Sequence, residues 1–170
     1  MEISSKSPNE QGVKLSAFNL QFPMRDGRRI SIENVFQSSK IFENDRHYLD
    51  LLDVCAREAK TDVRLRSSGQ LCGFNLEDID WPRQPVTAFY DWLYLTALQS
   101  SPELSSQLLE YDGFSDIEFN PNKSLNCQAA SAALFVSLVR RGEFDDAMQN
   151  KQSFLARLNH VACQTNAGNL

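Results

Sequence analysis

Histidine is almost missing from this chain: only His47 and His160 occur in 170 residues, neither with a ligand-type neighbour at metal spacing. A zinc or non-haem iron site is therefore not expected, nor any other cofactor. Acid–base work must fall to carboxylates, lysines or tyrosines. Cysteine is scarce too. Cys55, Cys72, Cys127 and Cys163 are far apart with no C-x-x-C spacing, so reduced, mostly buried thiols are expected rather than a disulfide framework. Long apolar runs are absent; the longest candidate, Ala129 to Val139, is interrupted by Ser131 and Ser137. The opening Met-Glu-Ile-Ser-Ser-Lys lacks a charged-then-apolar secretory pattern, so a cytoplasmic protein with no membrane association is expected.

Basic residues are in the minority, 17 against 22 acidic, for a net charge of −5. That balance argues against broad attraction to a nucleic-acid backbone, but not against a local basic pocket for a phosphorylated ligand. The basic residues bunch at Arg25, Arg28 and Arg29, then at Arg57, Lys60, Arg64 and Arg66. These are the places to look for phosphate contacts, with solvated surface charge as the alternative.

What is present is ordinary globular material, 42% apolar, in a chain long enough for one domain with a sizeable core. The expected organisation is a flexible lead-in over 1–12, a domain over 13–160 and a tail over 161–170. Val13 to Phe22 alternates in part and predicts a strand. Asp26-Gly27 predicts a hairpin returning through Arg28 to Ile30. A helix is expected from Ser31 to about Glu43–Asp45, and another from Tyr48 to Val63, broken by Ser67-Ser68-Gly69. Residues 73–85 read as irregular, with Trp81 held out of helical geometry by Pro82. Thr87–Gln99 is a strongly apolar helix, and Ser101-Pro102 is a cap with proline at the first helical position. Phe114–Phe119 is a weak strand and Asn120–Lys123 a turn. Cys127–Arg140 is a helix closed by Gly142, and a last helix covers about 143–159. The fold class is α+β: a single, mostly helical domain with a small antiparallel sheet.

The most informative segment is Ser-Ile-Glu-Asn-Val-Phe-Gln-Ser-Ser-Lys-Ile-Phe, residues 31–42. In a helix advancing about 100° per residue, Gln37 lies about 40° to one side of Glu33 and Lys40 about 20° to the other. Ile32 and Phe36 border this stripe on one edge and Ile41 on the other. An acid, an amide and an amine between apolar shoulders resemble the wall of a polar pocket. The plain alternative is a first-turn carboxylate favoured by the helix dipole, behind a Ser31 cap, with Lys40 a surface lysine.

Three stretches, Leu15-Ser16-Ala17-Phe18-Asn19, Asp26-Gly27-Arg28-Arg29 and residues 31–42, occur in an order that resembles the NADAR family. Ala59-Lys60, Trp81, Ala97-Leu98, Pro102-Glu103-Leu104, Leu108-Leu109 and Asn126 continue the likeness, which spans about residues 15–141. Phe89–Leu93 and Ile117–Pro121 bring the chain closest to the branch associated with DarT toxins. It departs from the general family at Asn34, where histidine is usual, and at 122–126, where a glycine-rich turn is usual.

The resemblance implies a NADAR fold and cleavage of an N-glycosidic bond: removal of ADP-ribose from guanosine in DNA, countering a DarT-type toxin as antitoxin or phage counter-defence. On that reading Lys40 and Glu33 are catalytic. Lys40 attacks the anomeric carbon to give a Schiff base while Glu33 moves the proton; in a simpler scheme Lys40 stays protonated and Glu33 activates water. Gln37 or Asn19 would hold a ribose hydroxyl. Phe18, Phe36 and Trp81 are candidates to stack on a base, each with core packing as the alternative. Arg57 and Lys60 would meet the pyrophosphate, and Asn126 would bind ligand or cap its helix. Other readings remain: an N-glycosidase for a free nucleotide or riboflavin-pathway intermediate, an ADP-ribose-binding module without turnover, or an antitoxin that masks its toxin by contact.

Overall fold

Val13 to Phe22 alternates only in part, and the backbone follows its polar residues instead of forming a long strand. In the computed structural model, which describes residues 1–117 and 126–158, the expected strand is replaced by a helix α1 (Glu10–Lys14), turns, and a strand β1 of three residues (Gln21–Pro23). The Asn9 side chain accepts the Gln11 N–H, and Ser16 Oγ and Asn19 Nδ2 both donate to the Val13 carbonyl, at 2.8 and 2.9 Å. Short polar side chains that satisfy the backbone locally compete with a strand ladder. The first residues pack against the body. Ile3 is fully buried, and a parallel bridge joins Glu2 to Ser115. Residues 118 and 119 of the weak strand, and the turn at Asn120–Lys123, lie outside the described residues.

The hairpin forms as its Asp-Gly turn predicts. β1 pairs antiparallel with β2 (Arg29–Ser31), Gln21 opposite Ser31, and Gly27 takes the positive φ. Ser31 then caps α2 (Ile32–Ser38), its Oγ accepting the Asn34 N–H at 3.2 Å. The helix stops earlier than expected. Ser38 and Ser39 hydroxyls both donate back to the Val35 carbonyl, and the Asn75 N–H takes the Ser39 carbonyl at 2.7 Å. The chain leaves as β3 (Lys40–Phe42), so Lys40 opens a strand instead of extending a helix.

The single helix expected over Tyr48–Val63 is also interrupted. A 3₁₀ turn at Leu49–Leu52 precedes α3 (Ala56–Thr61) and α4 (Arg64–Ser67). The buried Asn34 side chain donates to the carbonyls of Leu51 at 2.7 Å and Val54 at 2.8 Å. Those are the groups that Cys55 and Glu58 would have used to continue an α-helix. The Cys55 N–H instead donates to the Glu58 carboxylate in a capping box.

Residues 73–85, expected to be irregular, contain most of a second hairpin, β4 (Leu71–Leu76) and β5 (Ile79–Trp81), in a sheet ordered β3-β4-β5. Its turn residues Glu77 and Asp78 both have positive φ, 49° and 67°, which a two-residue hairpin of this hand needs. No glycine announces it. Glu77 is retained by a contact: its carboxylate and carbonyl both bind Arg25 of the first hairpin.

The helix α5 (Ala88–Gln99) runs through the centre and is buried on nearly every side, as its uniform apolar sequence predicts. Phe36, Phe74, Phe89 and Tyr90 form its aromatic contact with α2 and β4, Phe74 and Phe89 stacking at 4.6 Å. Then come α6 (Pro102–Leu108), α7 (Gln128–Arg140) and α8 (Phe144–Met148), followed by helix over 151–158. Gly142, at φ 69°, closes α7: its N–H reaches Val139 O, and that of Glu143 reaches Leu138 O. The last helix is divided because Asn150 recaps it, accepting the Ser153 N–H. Cys55 and Cys72 are exposed free thiols, not buried ones, and Cys127 is half-buried. Among the described residues no helix is long and apolar enough to cross a membrane.

Candidate functional site

The acid, amide and amine of the 31–42 segment meet, although the backbone that carries them is not one helix. Gln37 Nε2 donates to Glu33 Oε1 at 2.8 Å, and Lys40 Nζ donates to Gln37 Oε1 at 2.7 Å. Glu33 is 6% exposed and Gln37 8%. The i, i+4 spacing on α2 accounts for the first contact. The second survives the helix end because β3 starts two residues after α2 stops, leaving Lys40 beside the last turn.

The surroundings change the amine. Burial pushes the Lys40 ammonium down to about 8, while the Glu33 carboxylate pulls the other way. Lys40 Nζ also lies 4.8 Å from the Phe36 ring centroid, close enough for cation–π attraction. Tyr90 of α5 meets Phe36 edge-on at 5.3 Å. Its phenol is held well above the ordinary range, first by burial and then by the Glu33 charge. Nothing in the apolar reading of α5 marks Tyr90 as a neighbour of Glu33; only the packing of two helices puts it there.

A second group frames the entry to α2. The Glu33 N–H donates to the Ala17 carbonyl, and the Ala17 N–H donates to the side chain of Gln128 at the start of α7. Gln128 in turn donates to Asp116, and Tyr94 OH donates to the Leu15 carbonyl at 2.8 Å. Residues 15–17 are thus gripped by α2, α5 and α7. Phe18 follows, half-buried, with Lys60 Nζ 4.9 Å from its ring centroid. Arg57 is exposed on the same helix as Lys60, three residues earlier. Gln128 and Tyr94 carry no spacing signal that sequence reading could have used.

The remaining candidates are placed differently. Phe36 is a core residue packed on Phe74, Phe89 and Tyr90, and touches the site through Lys40. Trp81 is 4% exposed between Phe89 and Trp92, so it packs the core and offers no open face for a base. It sits two strands from Lys40, with Phe74 between them in register. Asn19 is exposed, and its amide nitrogen is engaged by Val13 O and Ser16 Oγ. Asn126 is half-buried, two residues before α7. Of the basic residues expected near phosphate, Arg28 pairs with Asp26 and Asp53, and Arg64 with Asp50 and Asp62. Two grooves lie elsewhere: about 540 Å³ between α1 and α6, and about 250 Å³ beside Glu143 and Arg157.

Chemically, the chain Glu33–Gln37–Lys40 offers an amine whose pKa is lowered to about 8, and an acid one amide away. The basic and aromatic side chains Lys60 and Phe18 flank the same helix entry. Comparison with curated proteins gives no match. The family description "DarT1-associated NADAR antitoxin" matches residues 1–167, nearly the whole chain. The chain belongs to the NADAR family, in the branch of DarT1-associated antitoxins.

Proposed function

We propose that this protein hydrolyses the N-glycosidic bond between ADP-ribose and guanosine in DNA, and so undoes the modification made by a DarT-type toxin. The observation that carries the reading is the half-buried Lys40 amine, pushed down to about 8 and joined through Gln37 to Glu33. A lysine is a nucleophile only when neutral. Bringing its pKa from 10.5 to about 8 raises the neutral fraction at pH 7 roughly 300-fold, to about a tenth.

The neutral Lys40 nitrogen attacks the anomeric carbon of the distal ribose. The bond from that carbon to guanine breaks, and the guanine nitrogen takes up a proton. Ring opening gives a Schiff base on Lys40. Water adds to the iminium carbon, and the carbon–nitrogen bond to Lys40 then breaks, releasing ADP-ribose and regenerating the amine. Glu33 receives and returns protons in these steps. Phe18 offers a partly open ring, and Lys60 and Arg57 offer charge for the pyrophosphate.

The test is to incubate the purified protein with DNA carrying ADP-ribosyl-guanine and follow released ADP-ribose, with and without borohydride. Release together with a reduced adduct on Lys40 is expected. Release without an adduct removes the covalent step, and no release removes the activity.

The net charge of −5 favours a second reading, a glycosidase for a small free nucleotide. Release from a free pyrimidine intermediate but not from modified DNA would select it.

A further inference from the structure

Gln37 has both ends of its amide engaged: the nitrogen gives its hydrogen bond to Glu33, and the oxygen accepts one from Lys40. Through these two contacts Gln37 bridges the acid and the amine, a role beyond the ribose contact that the resemblance implies for it. An amide is suited to this place because it is a donor at one end and an acceptor at the other. Facing a carboxylate, which only accepts, its NH₂ must point to Glu33. The oxygen is then left for Lys40.

We propose that Gln37 is a positioning residue: its amide, oriented by Glu33, aims the Lys40 amine and keeps it out of a direct ion pair with the Glu33 carboxylate. An ammonium in contact with a carboxylate is held in the charged form, which would remove the nucleophile. One amide in between lets Glu33 sense and orient the amine without locking its proton in place. The other neighbours leave this balance to Gln37. The cross-strand partner of Lys40 on β4 is the apolar Phe74, and α5 contributes the neutral phenol of Tyr90. The charges of α3, Arg57, Glu58 and Lys60, are exposed.

The inference rests on the reading of Lys40 as the nucleophile, but it is tested without substrate. The swap E33Q/Q37E keeps the same side-chain shapes and the same net charge while moving the carboxylate from the far side of the amide onto the amine. Competitive acylation of the unliganded protein across pH, read by mass spectrometry with exposed Lys60 as reference, gives the titration of Lys40. The swap should move that titration upward by about one unit or more. The single variant Q37E, which also preserves shape, should move it the same way and serves if the swap does not fold. A Lys40 titration unchanged or lowered in the variant that folds overturns the proposal. Neither outcome depends on whether ADP-ribose leaves DNA, so failure here is distinct from failure of the proposed activity.

Discussion

Asn34 donates to the Leu51 carbonyl across 17 residues of sequence, at 2.7 Å, from a side chain that is 4% exposed. The contact stands at the position where the general family has histidine, and it ties the back of α2 to the segment that becomes α3. A neutral imidazole has one N–H, whereas the amide supplies two and reaches Val54 as well. Replacement by alanine leaves two carbonyls without their partner and opens a small cavity. Asn34→Ala should lower stability by about 2–4 kcal/mol, measured by urea unfolding. A loss under about 0.5 kcal/mol would mean that water replaces the amide without cost.

Lys40 and Glu33 predict separable kinetic defects. Lys40→Ala should reduce ADP-ribose release to background with no borohydride adduct. Glu33→Gln keeps the hydrogen-bonding shape but cannot carry a proton, and should slow release about 10²–10⁴-fold. Single-turnover assays on modified DNA check both, and unchanged release in Lys40→Ala would remove the assignment.

The lowered Lys40 pKa makes stability depend on pH in a defined direction. The unfolded chain holds this proton up to about 10.5, whereas the folded protein releases it near 8. Between those values the unfolded state binds more protons, so stability rises with pH through that window; at pH 7 the cost of the buried charge is fully present. Lys40→Met should therefore stabilise the protein at pH 7, by on the order of 1–3 kcal/mol. The gain should shrink by pH 10, as urea unfolding at the two pH values would reveal. On the proposed mechanism, in which the neutral amine attacks, activity of the unaltered protein should rise through about pH 8.

The second hairpin carries strain that glycine would relieve. Asp78 occupies φ 67°, a conformation that costs an L-residue about 1 kcal/mol or more. Asp78→Gly should raise stability by about 0.5–1 kcal/mol, read as a higher melting temperature. Glu77→Gly should not, since it removes the carboxylate that holds Arg25.

Where hydrogen bonds close within a few residues, the amino-acid order alone decided the outcome. Asp26-Gly27 turned the first hairpin, Ser31 capped α2, Ser101-Pro102 opened α6 and Gly142 closed α7, each through its own backbone angles or a neighbour's N–H. The contact of Glu33 with Gln37 belongs to the same class, one turn apart on one face. Tertiary structure decided what depends on distant partners. Asn75 drew the Ser39 carbonyl into a sheet and made Lys40 a strand residue, and Asn34 broke the following helix by taking its carbonyls. Packing on Phe89 and Trp92 buried Trp81. Burial in the closed fold also lowered the Lys40 pKa to about 8. The reason is common to all of these: a backbone group or an amine has several partners within reach in sequence, and the free energy of burial selects among them only after the chain has closed around it.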